Sequence, residues 1–271
     1  MRQHLNTEFF APTLPRIFGH RGSAGTRPEN TLESFAAAVA AGVEYLEFDL
    51  HMTRDGEVVV AHDEHLQRMC GLDRRIAEMT YAELATVDAG RMFAPGGAAF
   101  PFRDKGLRVP RLADVLAAFP KLLMIVEVKQ VEPSVVAPAL DLIDRAGMRR
   151  RVLVASEHQL PLDEIRRLAP EIPTNFSYLE SGQFFQAMAA HDAAYRPPGD
   201  AIQISHFYEN WELVTRESVE FAHRLGVEMH VFTVNEEAEM NQLLDFGVDG
   251  LITDFPQRAL EVVRRRGSAR R

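Results

Sequence analysis

Hydrophobic and polar residues along this chain follow two periods that take turns from end to end. Short runs rich in β-branched and aromatic residues occur at 17–20, 45–52, 58–62, 122–128, 152–156, 174–178, 201–205, 229–234 and 251–253. Such runs, bounded by glycine and polar residues, read as strands. Between most of them apolar residues recur at the helical spacing of three and four, at 31–41, 112–119, 135–146, 162–168, 182–190, 216–225 and 236–246. Boundary signals agree with this division. Asn30 stands three positions before Glu33, a capping pattern, and Gly42, Gly147, Gly226 and Gly247 follow helix ends. Strands and helices in alternation predict βαβ units around a parallel sheet.

Nine strand runs exceed an eight-stranded barrel by one. The second and third are separated by Thr53-Arg54-Asp55-Gly56-Glu57, and Asp-Gly is a hairpin signal. If these two runs fold back on each other, eight parallel strands remain, and pairing carries His62 to the level of Glu47 and Asp49. The predicted fold class is therefore α/β: an eight-stranded (β/α)8 barrel with an extra antiparallel hairpin strand and a small insertion after the second strand. The rhythm breaks at 64–110, where one short helical piece at 81–87 and a Gly/Pro-rich stretch at 94–101 suggest a small cap over the barrel mouth. Residues 16–262 are expected to form a single barrel, and 264–271 a basic C-terminal tail, solvated and frayed.

Composition permits one large core and narrows the partners. The chain has 271 residues, 46% of them hydrophobic, a length at which single α/β barrels are common. One cysteine, Cys70, excludes an internal disulfide framework and a cysteine-rich zinc site. Net charge is −9, and the C-terminal arginines mean that the rest of the chain is more acidic still, which argues against nucleic acid as a partner. No secretory pattern opens the sequence and no apolar run reaches the roughly 18 residues of a membrane span, so a cytoplasmic protein without stable membrane insertion is expected.

The polar residues that interrupt the strands carry the chemistry. His20-Arg21 closes the first run, Glu47 and Asp49 alternate with apolar residues in the second, and His62-Asp63 closes the third. Residues two apart on a strand share a face, so Glu47 and Asp49 present two carboxylates to one point, as a hard divalent cation requires. Glu127-Val128-Lys129 ends the run at 122–128 and adds a third carboxylate and a cation. Each has a bland reading: a structural histidine, a solvated strand face, a Glu127–Lys129 ion pair. Convergence favours function, because strand ends of a parallel barrel collect at one mouth. A phosphodiester repels nucleophiles, so cations to neutralise it and imidazoles titrating near neutrality form a phosphoryl-transfer set.

The same residues resemble a known family. His20-Arg21-Gly22, Pro28-Glu29-Asn30-Thr31, Glu47-x-Asp49, Thr53-x-Asp55-Gly56, Val60-x-His62-Asp63, Glu127-Val128-Lys129, Thr233-Val234-Asn235 and the stretch from Gly247 to Asp254 resemble the glycerophosphodiester phosphodiesterases, in order and over nearly the whole chain. The resemblance implies a TIM-type barrel that hydrolyses a glycerophosphodiester to sn-glycerol 3-phosphate and an alcohol. It implies one divalent cation (Mg²⁺, Ca²⁺ or Mn²⁺) on Glu47, Asp49 and Glu127, His20 and His62 as the general base and acid pair, and Arg21 and Lys129 on the phosphate oxygens. Water and the substrate's own glycerol hydroxyl both remain open as the nucleophile.

The sequence departs from the family pattern at Pro110-Arg111-Leu112-Ala113-Asp114, at Phe232 and at Glu157, all outside the metal and histidine set. Phe207, Tyr208 and Trp211 are candidates for a headgroup wall, whereas Gln203, His206 and His230 are kept out of the catalytic set. Two alternatives remain: hydrolysis of a lysophospholipid or another membrane phosphodiester, and a non-catalytic phosphodiester-binding protein, which would have lost a histidine or a ligand.

Overall fold

The computed structural model describes residues 7–97 and 99–269. Its first half runs β1 (Arg16–His20), α1 (Leu32–Ala41), β2 (Tyr45–Met52) and β3 (Val58–Val60), followed by the short helices α2 (Gln67–Cys70) and α3 (Tyr81–Leu84). Then come α4 (Leu112–Ala118), β4 (Leu123–Val128), α5 (Val136–Arg145), β5 (Val152–Ala155), α6 (Gln159–Leu168) and α7 (Tyr178–Ala189). The chain continues with β6 (Ala201–Ser205), the hairpin β7 (Phe207–Tyr208) and β8 (Trp211–Glu212), α8 (Arg216–Leu225), β9 (Glu228–Phe232), α9 (Glu237–Phe246), β10 (Gly250–Thr253) and α10 (Pro256–Ala269).

Seven strands form a curled parallel sheet in the order β5-β4-β2-β1-β10-β9-β6, and β3 lies antiparallel on β2 as the Asp-Gly turn predicts. The eighth barrel position is filled by the run predicted as a strand at 174–178, but only in part. Thr174 bridges Val154 of β5 and Asn175 bridges Ala201 of β6, both in parallel, so this segment joins the two edges of the sheet. Ser177 then ends it. Its side chain and that of Glu180 form a reciprocal capping box, which turns Tyr178 into the first residue of α7 and corrects the expected strand.

The two-residue period decides what each strand buries. In β2, Leu46, Phe48 and Leu50 point out against the helices, in the main hydrophobic cluster, while Tyr45 joins Phe18, Ile125, Leu153 and Ile252 inside the barrel. Glu47 and Asp49 share the inward face with Tyr45. β4 repeats the arrangement, with Met124, Val126 and Val128 outward and Leu123 and Ile125 inward, so Glu127 follows them toward the interior. Register sets the level of the polar residues: His20 pairs with Glu47, and Asp49 with Glu127.

The insertion has a core of its own, in which Leu66, Cys70, Ile76, Met79 and Leu84 pack with Val59, Ala61 and Val109. At the C-terminus, α10 runs through Ala269, so Arg264, Arg265 and Arg266 belong to a helix and not to a free basic tail. Arg265 pairs with Glu237 and Arg266 with Asp245, which anchors the run. Arg270 and Arg271 lie outside the described residues.

Candidate active site

All seven residues singled out at the strand ends gather at the C-terminal mouth of the barrel. Six of them, His20, Arg21, Glu47, His62, Glu127 and Lys129, line a cavity of about 460 Å³. Asp49, the seventh, lies buried beneath it, 1% exposed. Ligand oxygens of Glu47, Asp49 and Glu127 lie within 4.8 Å of one another, close enough to share one coordination sphere. The donors are all carboxylate oxygens, a set that suits a hard divalent cation.

Electrostatics within this triad are uneven. Burial, with the charge of Asp49 beside it, pushes Glu47 up to about 7. Burial would also raise Asp49, but Arg21 first and Lys129 next outweigh it and hold that carboxyl below the ordinary range. Burial raises Glu127 against the pull of Lys129. Two buried carboxylates and a third, partly exposed one, with too little positive charge beside them, account for the upward shift of Glu47, and a bound cation would relieve the same shortage.

The Glu127–Lys129 ion pair named above as the bland reading does form. Lys129 Nζ donates to Glu127 Oε1 at 2.6 Å and stands 3.7 Å from Asp49 Oδ1. Two long side chains on one strand face close a backbone gap of about 6.5 Å without difficulty. Arg21 is less completely partnered. Its Nη1 donates to Glu29 at 3.0 Å, but its buried Nε, 3.3 Å from Asp49 Oδ2, makes no hydrogen bond. The Arg21 backbone N–H donates to Glu47 Oε2 at 3.0 Å, and Asn30 Nδ2 to Asp49 Oδ2 at 2.9 Å.

Each histidine is held by a carboxylate through Nδ1. His20 Nδ1 meets Asp254 Oδ1 at 2.6 Å, and His62 Nδ1 meets Asp63 Oδ1 at 2.7 Å. A carboxylate on Nδ1 selects the tautomer with its proton there and leaves Nε2 as the free nitrogen. His20 Nε2 lies 3.9 Å from Glu47 Oε2. Burial disfavours a charge on His20, yet the hydrogen bond to Asp254 and the charge of Glu47 prevail and raise its pKa. Asp254 is itself fixed by Asn235, whose Nδ2 donates to Asp254 Oδ2 at 2.7 Å.

Asp254, Asn235, Glu29 and Asp63 support the site although their motifs carry no assigned role, and Asn30, expected to cap α1, instead donates to Asp49 while the Thr31 side chain accepts from the Ser34 N–H as the cap. The available signal was position, since Asp254 and Asp63 each stand just past a strand, where side chains converge. The uncommitted histidines are structural. His206 is buried between Glu239 (2.9 Å) and Glu212 (3.1 Å), and His230 is buried in the barrel against Glu228 (3.0 Å). Opposite the charged wall, the cavity is lined by Phe176, Tyr178, Phe185, Tyr208, Leu213 and Phe232. Of the three candidate headgroup aromatics only Tyr208 is among the residues lining this cavity; Phe207 and Trp211 are exposed, Trp211 at 72%.

Fold and site together define an α/β barrel with imidazoles, carboxylates and cationic side chains gathered at one mouth. The chain belongs to the glycerophosphoryl diester phosphodiesterase family, whose model matches residues 20–258, and it is a phosphodiester hydrolase on a TIM-type barrel. It is 28% identical over 256 residues to a glycerophosphodiester phosphodiesterase of Caldanaerobacter subterraneus, covering 93% of this chain and 98% of that one. A human lysophospholipase D is 27% identical over 267 residues, 90% of this chain and 85% of its own. A solved structure from Silicibacter pomeroyi, 31% identical, matches with a TM-score of 0.78 over 94% of this chain and 95% of its own. The same fold recurs in an Oleispira antarctica phosphodiesterase solved with its product sn-glycerol 3-phosphate, at a TM-score of 0.77, 24% identity and coverage of 93% and 97%. Among the described residues no helix is long and apolar enough to cross a membrane.

Proposed function

We propose that this enzyme hydrolyses small glycerophosphodiesters to sn-glycerol 3-phosphate and an alcohol. The observation that carries the reading is the all-oxygen triad of Glu47, Asp49 and Glu127, flanked by two histidines whose Nδ1 atoms are already held by carboxylates. The triad would hold one divalent cation, Mg²⁺, Ca²⁺ or Mn²⁺, which when bound neutralises the diester and the charge that develops on it.

The chain's own groups do the rest. Arg21 offers a buried Nε that makes no hydrogen bond, and Lys129 an ammonium on the cavity wall, so both are suited to phosphate oxygens. His20 and His62 present free Nε2 atoms to the cavity, one to accept the proton of the attacking oxygen and the other to return one to the leaving alkoxide. Water and the neighbouring glycerol hydroxyl need the same proton acceptor, so the assignment serves either nucleophile.

A second reading rests on the apolar wall. Tyr178, Phe185, Tyr208, Leu213 and Phe232 face the charged side across the cavity, and Tyr178, Leu179, Phe207 and Trp211 are exposed nearby in sequence. A lysophospholipid could lay its glycerophosphate on one side and its chain along the other, in keeping with the 27%-identical lysophospholipase D. The test is alcohol release from glycerophosphocholine and from lysophosphatidylcholine, with each metal and with a chelator. Chelation should abolish turnover, and His20→Ala and His62→Ala should each lower kcat at least about 10²-fold with the fold intact. Undiminished rates in chelator, or in either variant, would remove the corresponding role.

A further inference from the structure

Arg68 belongs to the insertion and lies outside the catalytic set, yet it touches both of its flanks. It sits in the short helix α2, where Leu66 and Cys70, four apart, are buried in the insertion core. Arg68, midway between them in sequence, therefore projects from the other side of that turn. Its Nε donates to Asp63 Oδ2 at 2.6 Å, and its Nη1 and Nη2 donate to Glu29 Oε2 and Oε1, both at 2.7 Å. Each acceptor is also engaged by a site residue, Asp63 through its other oxygen and Glu29 through Oε1, which the two arginines share. Asp63 holds His62 Nδ1 at 2.7 Å, and Glu29 Oε1 accepts from Arg21 Nη1 at 3.0 Å.

We propose that Arg68 is a positioning residue, a fork that locks the carboxylates orienting His62 and Arg21 so that the proton-transferring imidazole and the phosphate-binding guanidinium keep a fixed relation. This rests on the roles given to His62 and Arg21 above. Three donors of one planar guanidinium span both carboxylates at once, a geometry that an ammonium cannot reproduce. Without Arg68, Asp63 is free to turn away from the His62 ring, and Glu29 is free to pull Arg21 off its station above Asp49. A residue misplaced by about 1 Å can cost up to about 10²-fold in rate. Arg68 is itself half exposed, at 50%, and Glu29, only 16% exposed, keeps Arg21 as a partner when Arg68 is removed, so the fold is expected to survive the substitution.

The two arms predict separable kinetic effects. Asp63→Asn should mainly lower kcat, Glu29→Gln should mainly raise KM, and Arg68→Met should do both, by roughly 10-fold each. In the Asp63→Asn background, Arg68→Met should lower kcat no further, because the residue it acts through is already gone. Arg68→Lys should recover less than half of the loss on a logarithmic scale while restoring the charge in full. Unfolding temperatures are measured alongside; if Arg68→Met does not fold, Arg68→Lys and the Asp63→Asn cycle carry the test. An Arg68→Met enzyme within twofold of wild type, or kcat losses that simply add in the double variant, overturns the proposal. If His62→Ala is itself as active as wild type, the reading beneath fails and this one with it. A dead His62→Ala beside an unimpaired Arg68→Met sinks the Arg68 role alone.

Discussion

Glu47 is the residue on which the site's chemistry and its folding conflict most directly. It is 4% exposed, on the inward face of β2 beside Asp49, and accepts the Arg21 backbone N–H. Burial lifts its carboxyl to about 7, so without a cation it is half protonated at neutral pH. A protonated carboxyl cannot ligate as an anion, and a binding cation must displace that proton. Well above pH 7 little proton remains to be removed; below pH 7 the apparent affinity should fall by up to tenfold per pH unit. Calorimetric titration with Mg²⁺ or Mn²⁺ in buffers of different ionisation enthalpy should detect about one proton released at pH 6 and almost none at pH 8.5. Equal proton release at both would show that Glu47 is not the group in competition. Glu47→Gln should weaken binding and flatten this pH dependence together.

At the scale of elements, the link between β1 and α1 delivers Arg21 to the site. Arg21 has a φ of 49° and Gly22 one of 90°, so two successive residues take the left-handed conformation that turns the chain off the strand. The turn is pressed against α1. Ser34 Oγ donates to the Arg21 carbonyl at 2.9 Å and accepts from the Ser23 N–H at 2.8 Å. A Cβ on Gly22 would lie 2.5 Å from that same Oγ and 2.6 Å from the Ser34 carbonyl carbon. Gly22→Ala should therefore cost about 2 kcal/mol or more and lower Tm by roughly 4–8 °C. Cation affinity should fall as well, because the Arg21 N–H that supports Glu47 moves. A variant that melts with wild type would show that the loop has room to relax.

Much of this layout was legible in the sequence because alternation and strand-end position are local signals. Tyr45, Glu47 and Asp49 sit two apart, so any parallel strand there must turn all three the same way, and the Asp55-Gly56 turn carried His62 to them. Partnerships between remote segments were not legible. Nothing near His20 announces Asp254, and nothing near Glu29 or Asp63 announces that one arginine spans them. The run at 174–178 pairs only at Thr174 and Asn175, because the Ser177-x-x-Glu180 cap, which needs no long-range contact to start a helix, outweighs its β-branched and aromatic content from Ser177 on.

The whole barrel is closed at the end opposite the site, and that closure should report on stability separately from catalysis. Arg16 of β1 and Glu228 of β9 reach across β10, joined twice, Nε to Oε2 at 2.9 Å and Nη2 to Oε1 at 2.7 Å. Arg16 also donates to the Tyr45 hydroxyl at 3.0 Å and the Pro12 carbonyl at 2.7 Å, while Tyr45 donates to the carbonyl of Phe9, which plugs the barrel floor. Burial would raise Glu228, but hydrogen bonds from His230 and Arg16 outweigh it and hold its carboxyl at about 2, against an ordinary 4.5. A carboxyl depressed in the folded state stabilises at pH above its unfolded value, and the benefit fades as pH falls through 4.5 toward 2. The shift corresponds to about 3 kcal/mol at neutral pH. Glu228→Gln should remove it, leaving Arg16 buried without its counter-charge, and the folded variant should keep wild-type kcat because the mouth is untouched. The stability gap between wild type and variant should narrow by roughly 2 kcal/mol between pH 7 and pH 3, since the unfolded wild-type chain then takes up a proton at Glu228 that the folded protein still refuses. Denaturant unfolding at the two pH values measures the gap directly. If it is equally wide at both, the loss is one of packing, and the barrel floor does not depend on an ionised Glu228.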